Sequence, residues 1–168
     1  MPKLRALYPL AAASALLLPF GLPASAAAQI VGGDAAACRA GQPAVQVRVS
    51  GFKQARGTVR VTLYKQDGYL KKGGSLRKVR VPVRSLAPMD ICIATFEPGQ
   101  YSVAVQHDLN GNKDIDRPDG GGFSRNPGLS LLGRPSFAQT GFAVGASPRV
   151  VPVTLQYLQG VRFAPVRS

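Results

Sequence analysis

From residue 43 onward, apolar and polar side chains alternate with a period of two. Val45, Val47 and Val49 alternate with Gln46 and Arg48, and Val59, Val61 and Leu63 with Arg60 and Thr62. Val79, Val81 and Val83 alternate with Arg80, Pro82 and Arg84. Tyr101, Val103, Val105 and His107 share one face of a later run, and Val151, Val153, Leu155 and Tyr157 share one face of the last. Such alternation marks strands with one buried and one wet face. A further strand is expected around Ile91 and Ile93, bounded by Pro88 and by Pro98-Gly99. Turn residues at Gln66-Asp67-Gly68, Lys72-Gly73-Gly74 and Glu97-Pro98-Gly99-Gln100 punctuate the runs. Pro82 and Pro152 would break a central ladder, so their strands are expected at sheet edges or bulges. No stretch of the mature chain shows helical periodicity. The pattern predicts an all-β fold, an antiparallel β-sandwich of about seven strands over residues 43–160. A short segment, 29–42, precedes it and a tail, 161–168, follows.

One connection departs from the pattern. Between His107 and Phe137 lie nearly thirty residues with little strand or helix character, a length that in a compact domain needs a function or an organiser. Its apolar residues Phe123, Leu129, Leu131, Leu132 and Phe137 predict that it folds back on the sandwich.

The opening residues predict a compartment. Lys3 and Arg5 precede an apolar run, Leu7 to Leu22, and Ala24-Ser25-Ala26 and Ala26-Ala27-Ala28 are small-x-small cleavage sites. Residues 1–28 therefore read as a secretory signal peptide, and the mature protein is expected to be periplasmic or secreted, with no transmembrane segment. Two cysteines remain, Cys38 and Cys92, and in an exported chain an even count predicts a disulfide. In the chain-entropy model that bond is worth roughly 4 kcal/mol.

The chain carries 21 basic and 8 acidic residues, a formal charge of +13; loss of Lys3 and Arg5 with the leader takes two from it, leaving +11. Lys71, Lys72, Arg77, Lys78, Arg80 and Arg84 form a dense basic stretch. Its field suits anionic envelope components such as lipopolysaccharide or acidic glycans. Nucleic acid is disfavoured, because export removes the protein from it and no aromatics interleave the basic run.

Against this charge, the acids cluster. Asp108, Asp114, Asp116 and Asp119 are four of the 8, and Asn110 and Asn112 are interleaved with them. Oxygen ligands at alternate residues are what a loop needs to wrap a hard cation. In the twelve-residue calcium loop, Asp108, Asn110, Asn112, Asp114, Asp116 and Asp119 would stand at positions 1, 3, 5, 7, 9 and 12. Position 6 wants glycine and holds Lys113, and position 12 wants glutamate and holds the shorter Asp119. The expectation is a calcium site of low affinity, about 10⁻⁴ to 10⁻³ M. The competing reading is a metal-free loop held by Asx-turns. Zinc and copper are poorly served by one histidine and two oxidised cysteines.

No catalytic residue is assigned. His107 is expected on the inward face as a structural histidine; its sharper reading, with Phe123, Ser124, Arg125 and Asn126, is a set of ligand contacts at the mouth of the sandwich. An envelope hydrolase or lyase using His107, Asp108 and Ser124 is the alternative function, although Gly122-x-Ser124-x-Asn126 lacks the second glycine of a nucleophile elbow. The glycine run at 120–122 could also cradle an anion beside Arg125. A third reading is a purely structural, polyanion-docking envelope protein.

Several motifs together look like one family. His107-Asp108-x-Asn110-x-Asn112, Gly122-Phe123-Ser124-x-Asn126-Pro127 and Arg134-Pro135-Ser136-Phe137 resemble the exported bacterial domain-of-unknown-function 2141 (DUF2141) family. So do Gly57-x-Val59-x-Val61-x-Leu63-Tyr64 and Pro98-Gly99-x-Tyr101-x-Val103-x-Val105. The resemblance spans roughly residues 43–158. It implies a small secreted or periplasmic β-sandwich, similar to transthyretin-like and carboxypeptidase-regulatory-like domains, and brings no established activity.

Overall fold

The computed structural model describes residues 29–166. The leader expected over 1–28 and the last two residues of the tail lie outside that range. The long alternating runs form β2 (Ala44–Ser50), β3 (Thr58–Tyr64), β4 (Arg77–Pro82), β5 (Met89–Ala94), β6 (Gly99–Asp108) and β9 (Arg149–Thr154). Five shorter strands accompany them: β1 (Ile30–Val31), β7 (Gly120–Phe123), β8 (Phe142–Val144), β10 (Gln156–Gln159) and β11 (Arg162–Pro165). Two short helices, α1 (Ala35–Arg39) and α2 (Phe137–Thr140), also form, although no helical period announces them. Ser136 and Gln139 close a capping box on α2, which is how four residues hold a helical turn.

The strands build the expected sandwich. One sheet runs β1-β5-β2-β9 and the other β11-β10-β7-β6-β3-β4, with β8 joined to β6. Pairing is antiparallel except for β1 with β5 and β2 with β9, which are parallel. Val45, Val47, Val49, Ile91, Ile93 and Val153 of the first sheet pack on Val59, Val61, Leu63, Val103, Val105 and Tyr157 of the second, all nearly or fully excluded from water. Pro82 and Pro152 do fall on edge strands, β4 and β9, where a missing N–H costs no central ladder bond.

Three features differ from the sequence expectation. Val151 to Tyr157 is not one strand: the chain leaves the first sheet after Thr154 and enters the second at Gln156, with Leu155 N–H bonded to the Ser50 carbonyl at the crossing. Parity survives because Val151, Val153, Leu155 and Tyr157 all point into the shared core. The segments flanking the sandwich belong to it: β1 adds to β5, and β11 extends the second sheet beyond β10. The long connection contains β7, which pairs with β6 and β10. Leu131 and Leu132 do not fold back, and stay 60% and 99% exposed.

Cys38 and Cys92 form the expected disulfide, tying α1 to β5. Beside it, Asp34 pairs with Arg77 and accepts the Ala94 N–H. None of the described helices is long and apolar enough to cross a membrane.

Gly57 lets the start of β3 lie against the end of β6. Its φ is +73°, and a Cβ there would sit 2.0 Å from the Asp108 carbonyl oxygen. Gly57→Ala combines left-handed strain with a backbone collision, so we expect it to cost about 2–3 kcal/mol. Equilibrium urea unfolding measures this.

Candidate functional site

The Asp/Asn loop leaves the end of β6 and returns at β7. Asp108 is fully buried; its two carboxylate oxygens accept the N–H groups of Gly111 at 2.7 Å and Lys113 at 2.9 Å. Asn110 accepts from Asn112 N–H and Asn112 from Asp114 N–H, each an Asx-turn. Both asparagine amides donate to Asp116 Oδ2, at 2.8 and 2.7 Å. Asp119, also buried, accepts the Leu109 and Asp116 N–H groups and Gln106 Nε2. Asp114 is exposed, and its backbone carbonyl accepts from Gln106. The oxygens are thus turned onto the loop's own donors. Among the described residues, no three His, Cys, Asp or Glu side chains converge as metal ligands. Lys113 nevertheless takes a φ of +73°, the left-handed turn for which a calcium loop reserves glycine at that position.

His107 sits where its phase predicted, inside and fully buried. Its Nε2 lies 2.8 Å from the Arg56 carbonyl, which can only accept, so Nε2 carries the proton. Nδ1 therefore accepts the Tyr157 hydroxyl proton at 2.6 Å, and that hydroxyl accepts the Lys53 N–H. Burial holds the imidazole pKa below its usual value and pushes the Tyr157 phenol up to about 12. Both groups fold as neutral species. The unfolded chain binds a proton at His107 below about pH 6.5, so stability falls as the pH drops from there toward the folded value. Tyr157 has its full stabilising effect below about pH 10 and loses it as the pH rises to about 12, a difference of about 2–3 kcal/mol. Tm measured against pH should therefore decline on both sides, and Tyr157→Phe should shrink the alkaline decline.

Ser124 is buried too. It accepts the Val103 N–H and donates to the Thr140 carbonyl at 2.6 Å, which fastens α2 over β6. His107, Asp108 and Ser124 are not hydrogen-bonded to one another, and each is committed elsewhere. Arg125 donates to the Ala138 carbonyl, and Asn126 accepts the Thr154 N–H, clamping the connection to edge strand β9. Gly121 of the glycine run lines the outer face of the sheet. Gly120 and Gly122 point inward, where a Cβ would come within 2.5 Å of the Tyr157 ring and 2.7 Å of Val153.

Phe123 leads to a feature that sequence reasoning missed. The outer face of the second sheet carries a groove of about 510 Å³. Its floor is two cross-strand rows, Arg60–Gln106–Gly121 and Thr62–Ala104–Phe123. One wall comes from Ile115 to Asp119 of the acidic loop, another from Leu129 to Pro135, and Leu158 and Phe163 close the far side. Gln156 secures the second wall, accepting the Leu129 N–H and donating to the Pro127 carbonyl. Ile115 is 76% exposed on this wall. The walls come from distant segments, so no local motif announces them. The available signal is the outward phase of Ala104, Phe123 and Leu158, apolar where a wet face should be polar.

The fold and loops define a small β-sandwich with a built-over sheet face. Residues 47–151 match the family model described as an uncharacterized protein conserved in bacteria (DUF2141), and the chain belongs to that family. No curated protein and no solved structure matches the chain.

Proposed function

We propose that this is an exported, noncatalytic binding module of the bacterial envelope, and that the groove on the second sheet holds a small apolar ligand. One observation carries this reading: a groove of about 510 Å³ keeps a largely apolar lining open to solvent, within the range typical of ligand pockets. The acidic loop then serves as a brace, rigid enough to hold one wall. Export is supported by the leader and by a disulfide, which persists in oxidising compartments. Lys71, Lys72, Lys78, Arg80 and Arg84 are exposed and would dock the module on lipopolysaccharide or acidic glycans. The test uses a neutral, environment-sensitive naphthylamine dye. The mature protein should enhance its fluorescence saturably, and Ala104→Trp, which fills the floor, should abolish the enhancement. An equal response from both proteins would refute the reading.

A second reading is favoured by the left-handed turn at Lys113. In it the loop binds calcium, with Asn110 and Asn112 turning their amide oxygens inward beside Asp108 and Asp116. At a hundred times the dissociation constant, calcium should then add roughly 2.7 kcal/mol, a rise of several degrees in Tm. Magnesium should do less, and Lys113→Gly should strengthen the response by removing both strain and positive charge. A Tm unmoved by calcium up to about ten times the weakest affinity expected for extracellular modules would leave the loop as a self-bonded brace.

A further inference from the structure

We propose that the groove takes a single-chain amphiphile with an anionic head group, its chain on the sheet and its head among the arginines at the rim. This rests on the groove being the binding site and names the ligand chemistry. Arg60, Arg117 and Arg134 all line the groove, and among the described residues none of the three forms an ion pair. The two carboxylates that also line it are already engaged: Asp119 accepts three donors and Asp116 accepts both asparagine amides. Arg60 donates only to the Lys113 carbonyl, at 3.5 Å, so the groove offers guanidinium groups that no carboxylate neutralises, beside a largely apolar lining. That combination suits a carboxylate or phosphate on an alkyl chain, since guanidinium forks bind either group bidentately.

Gln106 supplies an independent observation. It lines the groove, is only 7% exposed, and its Oε1 has no hydrogen-bond partner, while its Nε2 donates to Asp114 and Asp119. A buried carbonyl without a donor is costly, and the O–H that a singly charged phosphate head retains can satisfy it. Arg60 is the cross-strand neighbour of both Gln106 and Arg80. Burial first, and then the like charge of Arg80, lower the Arg60 pKa, so an anion beside it would relieve both penalties.

Calorimetric titration of the mature, oxidised protein with decanoate, decyl phosphate and decanol, each below its critical micelle concentration, tests this. At least one anion should bind about tenfold or more tightly than decanol. The anion that wins identifies the head as carboxylate or phosphate. Arg60→Gln, and separately the exposed Arg134→Gln, should erase the preference by lowering the anion's affinity to that of decanol. Equal binding of all three compounds would overturn the anionic head and leave the groove as an apolar site. Failure of all three, together with no dye enhancement, would sink the groove itself.

Discussion

Asp119→Ala is expected to cost about 4 kcal/mol and to release the acidic loop from the sandwich. The Asp119 carboxylate is 5% exposed and accepts three donors, the N–H groups of Leu109 and Asp116 and Gln106 Nε2. Removing it leaves buried donors facing a methyl group. An unsatisfied buried donor costs about 1–3 kcal/mol, and bonds to a charged acceptor lie at the upper end of that range. Leu109, whose side chain belongs to the core, would lose its backbone anchor. Asp119→Asn should recover only part of the loss, because its amide nitrogen would meet a donor with a donor. Chemical denaturation gives the energy. Limited proteolysis should show new cleavage between residues 109 and 118, with the sandwich intact. Equal stability and unchanged proteolysis would mean that the loop is held by something else.

The second large effect belongs to the disulfide. Cys38 and Cys92 lie 54 residues apart, and cross-linking a chain over that span removes roughly 4 kcal/mol of unfolded-state entropy. The native structure gives the bond local work as well. Cys38, Ala44 and Cys92 form a small apolar cluster with Ile30 and Ala37, separate from the main core. β1 contributes only two residue pairs to β5, too few to hold the segment alone. The double variant Cys38→Ser/Cys92→Ser should therefore melt about 10–15 °C lower. The Asp34–Arg77 pair and the Asp34 bond to Ala94 N–H should keep α1 partly docked, so the dye binding proposed for the groove, on the opposite sheet, should survive at low temperature.

Much of the scaffold was legible because period-two alternation is a direct imprint of burial. β2, β3, β4, β5, β6 and β9 each span six residues or more, long enough for the period to show. β1, β7, β8, β10 and β11 span two to four residues. Their existence is decided by partners far along the chain. β7 is the clearest case: three of its four residues are glycine, so it has no side-chain pattern, and it is a strand because β6 and β10 flank it. The break at Leu155 was hidden for a related reason. A chain that crosses between two sheets while keeping its inward parity leaves the alternation unbroken.

The site divides the same way. The oxygen ladder of the acidic loop is a local pattern and was visible, including the mismatch at Lys113. Whether those oxygens face a cation or their own backbone depends on the loop's fold, and Asp119 reaching back to Leu109 and Gln106 is a three-dimensional fact. His107 was placed correctly by phase, whereas its partners Tyr157 and Arg56 stand about fifty residues away on either side. The groove depends on tertiary assembly throughout.

The central claim, that the outer face of the second sheet is the binding site, is tested most directly by amide chemical-shift mapping of the mature protein titrated with decanol. The account predicts saturable shifts confined to residues 60–64, 104–106, 115–135 and 158–163. Shifts confined to β2, β5 and β9, or none at concentrations where the dye binds, would contradict it.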